Sequence, residues 1–186
     1  MTNLAIKSDK LISGHLRYDH LLGREFVHGE TDCYTLCQDF FRDNLGLEFQ
    51  DYARPDDWWL HDDFNPYWDF FGPEGFTLVD INHPSQLKIM DLILVAIPDP
   101  RRPQKTPINH CAMYIGNGKI IHHRLGKLST ESPYQGWVKE QTVAVVRHKD
   151  APELQIGSVE SKDLMDFILP HKKALLEGAL DEHPNS

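Results

Sequence analysis

The chain has 186 residues, 40% of them hydrophobic and 10% aromatic, which is enough apolar surface for one core and too much for a disordered chain. Nineteen basic against 28 acidic residues leave a formal charge of -9, which argues against non-specific binding to a phosphate backbone, so no nucleic acid is expected as a partner. No stretch approaches the roughly 18 to 20 apolar residues of a membrane span, and the N-terminus MTNLAIKSDK lacks the basic and apolar regions of a signal peptide, so a reducing cytoplasm is the expected place of synthesis.

In chain order, a helix is predicted over residues 8–22, with Ser8 or Asp9 as N-cap, an apolar series from Leu11 to Leu22, Gly23 as its stop and Gly14 interrupting it. A clearer helix is predicted over 32–45. Cys33, Leu36, Cys37, Phe40, Phe41 and Leu45 recur there at helical spacing between an Asp32 N-cap and a Gly46 stop. Residues 48–75 alternate aromatics with acids between prolines and read as an ordered insertion with one short helix. Strands are predicted at Phe76–Val79, Leu92–Ile97, Cys111–Ile115, Ile120–His122 and Thr142–Arg147, and Gly116-Asn117-Gly118 has the composition of a tight hairpin turn. Helices followed by antiparallel strands imply an α+β domain. The expected layout is a helical lead-in over 1–19, a main domain over 20–150 and a helical appendage with a loose tail over 151–186.

Three cysteines, Cys33, Cys37 and Cys111, cannot all pair within one chain. Cys33 follows the N-cap of the best helix, where unpaired N–H groups and the helix dipole favour a thiolate. It is equally a small apolar residue on the buried face, as Cys37 is one turn later. His110 opens a strand, and a hairpin centred on Asn117 brings it near His122 or His123, of which only one can share its face. A thiol at a helix start, an imidazole on a nearby strand and a third group orienting that imidazole are the parts of a covalent hydrolase. The rival use of Cys33, Cys37, His110 and His122 is a zinc set, although their spacing matches no finger or ribbon.

Four segments in order carry a resemblance: Asp32-Cys33 opening a helix, Met90-Asp91-Leu-Ile-Leu starting a strand, Asn109-His110-x-Ala-x-Tyr-Ile-Gly, and Gly118-Lys-Ile-Ile-His122. Over residues 20 to 148 the chain resembles the NlpC-type cysteine peptidases, a papain-like family that cuts peptidoglycan stem peptides. Asp32-Cys33-Tyr34-Thr35-Leu36, the tandem Trp58-Trp59, His122 to Ser129 and Val146-Arg147-His148 point to its phage tail branch. The resemblance implies a papain-like α+β fold, with N-terminal helices on a small antiparallel sheet or half-barrel. It makes Cys33 the nucleophile, His110 the general base and His122 the orienting residue, with no cofactor and no metal. The backbone N–H of Cys33 would hold the oxyanion, and Asp32, Trp58 and Trp59 would lie beside the substrate. Family members often carry a Tyr upstream of the Cys, where Phe26 falls here.

The implied substrate is a bacterial peptidoglycan peptide, and the implied partners are other phage tail tip proteins, met in the host cytoplasm and in the virion. An assembly scaffold that kept the fold without the chemistry is the alternative. Trp58, Trp59 and Trp68 read either as specificity residues or as caps on the core.

Overall fold

In the computed structural model, residues 9–61, 65–80, 84–103 and 107–154 are described, and all of them fall in one unit spanning Ala5–Ile156. The helix predicted at 32–45 is present as α1, Cys33–Leu45. Asp32 caps it by accepting the N–H of Thr35 at 3.0 Å, and Gly46 ends it in the left-handed region (φ 68°), donating its own N–H to Arg42. Only glycine adopts that conformation without strain. Leu36, Cys37, Phe40 and Phe41 form the buried stripe. Fully burying each large apolar side chain stabilises the fold by about 1.5–3 kcal/mol.

That stripe packs on a six-stranded antiparallel sheet with the order β1-β6-β2-β3-β4-β5. Its strands are β1 (Phe76–Leu78), β2 (Leu92–Val95), β3 (His110–Gly116), β4 (Lys119–His122), β5 (Thr130–Pro133) and β6 (Thr142–His148). Leu92, Leu94, Cys111, Met113, Ile121 and Val146 face α1, while Ile93, Val95, Ala112, Ile120 and Val145 form a second cluster on the other side with Val138. Both faces are therefore buried, as the unbroken apolar runs of β2 and β3 require. The fold class is α+β, and the sheet is open.

Two expectations change. In place of a helix over 8–22, residues 9–22 form turns and a single 3₁₀ turn, Asp19–Leu21, because Gly14 sits at φ 70° and breaks the helical path. Only one long helix, α1, therefore precedes the sheet among the described residues. The second predicted strand stops at Val95 rather than Ile97, after a register shift. The Asn109 side chain takes both backbone groups of Ile97 instead, at 2.8 and 2.9 Å. The insertion holds a 3₁₀ turn, Trp58–Leu60, and a short helix α2, Pro66–Phe70. Asn65 caps α2, and its amide reaches the carbonyl of Ile108 at 3.0 Å, which ties the insertion to the approach of β3. A last short helix, α3, is Trp137–Glu140. Among the described residues no helix is long and apolar enough to cross a membrane. The predicted helical segment 159–180 lies outside the described residues.

Asn44, fully buried on α1, joins the helix to the leading segment: its amide receives the N–H of Arg17 and donates to the carbonyls of Arg17 and Phe40, each at 2.8 Å. Asn44→Ala leaves those backbone groups unpaired, so urea unfolding should show a loss of about 1–3 kcal/mol with the m-value unchanged.

Candidate active site

Asp32 and Cys33 meet a cleft of about 250 Å³ at the start of α1. The Asp32 carboxylate accepts the N–H groups of Gly29 and Thr35 at 3.0 Å and the Nε of Arg54 at 2.9 Å. Arg54 is 6% exposed and also donates to Asp51 and to the carbonyls of Tyr52 and Gly29. Burial pushes the Asp32 carboxyl up, but the Arg54 charge and these hydrogen bonds outweigh it and hold the group below the usual carboxylate range. Asp32 thus lines the cleft with its oxygens already engaged.

Cys33 is 8% exposed and borders the same cleft. Its Sγ lies 3.2 Å from the hydroxyl of Tyr67, the second residue of α2. Burial pushes the Tyr67 phenol well up, so it stays protonated and can donate. The thiol itself does not follow the helix N-terminus. Its hydrogen bond with the Cys111 thiol and its burial push it well above the ordinary range, while the charge and hydrogen bonding of His110 pull it down. The Cys111 thiol also donates to the Cys33 carbonyl at 3.2 Å and lies 3.5 Å from the Cys37 sulfur, and all three cysteines are free.

His110 and His122 come together as the hairpin predicts. The turn has positive φ at Gly116, Asn117 and Gly118, and its register sets Ala112 opposite His122. Residues 110, 112 and 122 then share one face of the sheet. His110 Nε2 and His122 Nδ1 are 3.2 Å apart, and His122 Nε2 is 3.2 Å from the Ser132 hydroxyl on β5. Placing the His122 proton on Nε2, toward Ser132, leaves Nδ1 to accept from His110 and frees His110 Nδ1 for the thiol. Burial and the charges of Arg124 and His123 push His122 down to about 4, so it stays a neutral acceptor. The Trp137 ring lies against both imidazoles, stacked on His122 at 24° and 5.9 Å, and Arg124 covers the same ring at 4.7 Å.

Trp58 is buried and Trp59 half-buried, and both line the cleft; Trp68 is exposed. The Trp59 indole donates to Asp99 at 2.9 Å, and the hydrogen bonds of Asp99 to Arg101 and Trp59 hold its carboxyl far below the usual range. Among the described residues no three His, Cys, Asp or Glu side chains are grouped to hold a metal ion. Arg54, Tyr67, Ser132 and Trp137 were not legible as site residues. Asn65-Pro66 announces a helix start, but nothing local says that the Tyr after it meets Cys33.

Residues 23–147 match the NlpC/P60 family. The chain is 35% identical over 130 residues to the tail tip assembly protein K of Escherichia phage lambda, covering 70% of this chain and 60% of that protein. It is 33% identical over 133 residues to the tail tip assembly protein K of Escherichia phage N15, covering 70% and 50%. The chain therefore spans 50–60% of the length of these relatives. An NlpC/P60 family protein from Bacillus cereus superposes with a TM-score of 0.40 at 22% identity, over 63% of this chain and 31% of its own.

His122 binds its proton at about 4 in the fold and about 6.5 unfolded, so the unfolded chain takes up more protons between those values. The contribution of His122 to stability is complete above pH 6.5 and is lost as pH falls toward 4, by about 3 kcal/mol. His122→Gln should reduce that acid loss in urea titrations between pH 7 and pH 4, and an unchanged slope would contradict the neutral assignment.

Proposed function

The chain belongs to the NlpC/P60 family, and from that premise we propose that it is a cysteine endopeptidase of a phage tail tip. The observation that carries this reading is that Cys33 and His110 line one cleft, with His122 and Ser132 continuing the chain of polar contacts behind His110 and the Tyr67 hydroxyl 3.2 Å from the nucleophilic sulfur. His110 Nδ1 takes the Cys33 proton as the sulfur attacks a peptide carbonyl. The imidazolium that forms donates from Nε2 to His122, which burial keeps neutral and able to accept. His110 then protonates the leaving amine, and water hydrolyses the thioester with His110 again as base.

The negative oxygen of the tetrahedral intermediate meets the backbone N–H of Cys33, which helix geometry leaves without a carbonyl partner. Tyr67 supplies the second donor: its phenol is held protonated beside the sulfur, while the position upstream of Cys33 carries Phe26. The proposed substrate is a peptidoglycan stem peptide at a γ-D-glutamyl to diamino-acid link, and a tail protein segment is its alternative. Lambda and N15 relatives named for tail tip assembly support other tail proteins as partners, met in the host cytoplasm and carried into the virion.

One observation favours a second reading, an assembly scaffold without chemistry: the raised Cys33 thiol. Alkylation rates separate the two. In the peptidase, Cys33 reacts faster than Cys37 and Cys111 because His110 takes its proton, and it loses that advantage in His110→Ala; in the scaffold, it reacts slowly in both.

Cys33→Ala should reduce cleavage of purified muropeptides roughly ten-thousandfold while moving the thermal midpoint little. Tyr67→Phe should lower kcat about a hundredfold at near-constant KM, the mark of a donor used in the transition state. A Tyr67→Phe enzyme with full kcat would leave the oxyanion to backbone groups alone.

A further inference from the structure

His123 follows the last residue of β4 and lines the cleft that holds Cys33 and His110. It is 1% exposed, and both of its ring nitrogens are without a hydrogen-bond partner; no other buried side-chain nitrogen or oxygen among the described residues is in that condition. The carbonyls of Arg24 and Lys127 stand near enough to favour its charged form, but neither meets a ring nitrogen in hydrogen-bonding alignment. Burial, the larger influence, lowers its pKa and keeps the ring neutral. Phe26 packs its edge against the imidazole at 5.2 Å, so the ring is held in place by apolar contact. A buried polar group left unpaired costs about 1–3 kcal/mol, and a fold retains such a group where something else completes it.

The rest of the cleft has its polar groups engaged. Asp32 and Arg54 bind each other, Asp99 binds Arg101 and the Trp59 indole, and Asn109 binds both backbone groups of Ile97. A neutral imidazole offers one N–H and one lone pair, and a peptide amide offers one carbonyl and one N–H.

We infer that His123 is a substrate-recognition residue, which pairs a ring nitrogen with an uncharged backbone amide of the bound peptide close to the scissile bond. This rests on the peptide-cleaving reading of the cleft and adds the contact that holds the chain in register. Phe26 and Leu125 line the same cleft and supply apolar surface to it. A site built to hydrogen-bond its substrate discriminates strongly, because a ligand lacking the group leaves the buried imidazole unpaired.

The test uses Cys33→Ala, which binds without cleaving, titrated with a wall tetrapeptide carrying the γ-D-glutamyl-diaminopimelate link and followed by the fluorescence of Trp58 and Trp59. His123→Phe in that background keeps the ring volume and the Phe26 contact and removes both nitrogens. Binding should weaken about tenfold, while the thermal midpoint stays level or rises because an unpaired polar group has been removed. Equal binding, or no binding by Cys33→Ala at all, overturns the inference. A midpoint several degrees lower also overturns it, since His123 would then be a structural brace. Cleavage by the unmodified protein is scored separately, so loss of the recognition contact and loss of the peptidase reading are distinguishable.

Discussion

The buried ion pair between Asp32 and Arg54 fixes the geometry of the surroundings of Cys33. Removing two charges from water is costly, and such a pair holds only when its other hydrogen-bonding positions are filled. Here they are filled from three directions. Asp32 draws in Gly29 from the preceding turn and Thr35 from the first turn of α1; Arg54 draws in Asp51 and Tyr52 from the insertion, and its guanidinium lies 4.6 Å from the centre of the Tyr34 ring. The turn before the helix, the helix start and the insertion are thereby one latched unit. Cys33 stands at its centre, and Tyr67 arrives on the next part of the same insertion, pinned by Asn65 to the approach of β3. The latch also sets the charges of Asp32 and Arg54 against each other where both line the cleft.

The electrostatics of the Cys33 thiol turn on which of two opposed effects is larger. A helix N-terminus stabilises an anion by about 0.3–1 kcal/mol, up to about 2 in a partly buried setting. The hydrogen bond with the Cys111 thiol and the desolvation of a buried thiolate act against it and prevail. The resting sulfur is therefore a neutral thiol rather than a thiolate. On the peptidase reading His110 then acts as a general base, and the environment of its partner suits that role: His122 would accept a hydrogen bond from the imidazolium, and burial and the nearby charge of Arg124 keep its lone pair available.

Much of this was legible in the sequence, where signal and cause are local. α1 announces itself by its period, its Asp32 cap and its Gly46 stop, and β2, β3, β4 and β6 by short apolar runs between turn residues. Cys33, His110 and His122 could be placed because a helix start and a hairpin carry their own geometry. β5 was not legible: Thr130–Pro133 is polar, ends in proline and lies at the sheet edge, so it has neither alternation nor burial to mark it. The helix expected over 8–22 failed because leucine spacing does not distinguish a helix from turns anchored on a neighbouring surface, which is what Leu11, Leu16 and Leu21 form. Arg54, Tyr67, Ser132 and Trp137 reach the site only through tertiary packing, at separations no periodicity encodes.

The choice between the two adjacent histidines shows how a small local feature controls the site. His122 and His123 are the same residue type, one position apart, and side chains alternate along a strand. The pairing of Gly116 with Lys119, with a register shift between Tyr114 and Gly116, determines that His122 stands opposite Ala112 and so on the face of His110. One residue more or fewer in the turn would exchange their places, bringing His123 to His110 and carrying His122 away from Ser132 and Trp137. The consecutive positive φ angles at Gly116, Asn117 and Gly118 are what hold that count, since residues with larger β-branched side chains would not adopt them. The turn lies at the far end of β3 from His110, yet its backbone conformation sets one imidazole beside His110 and leaves the other to the cleft.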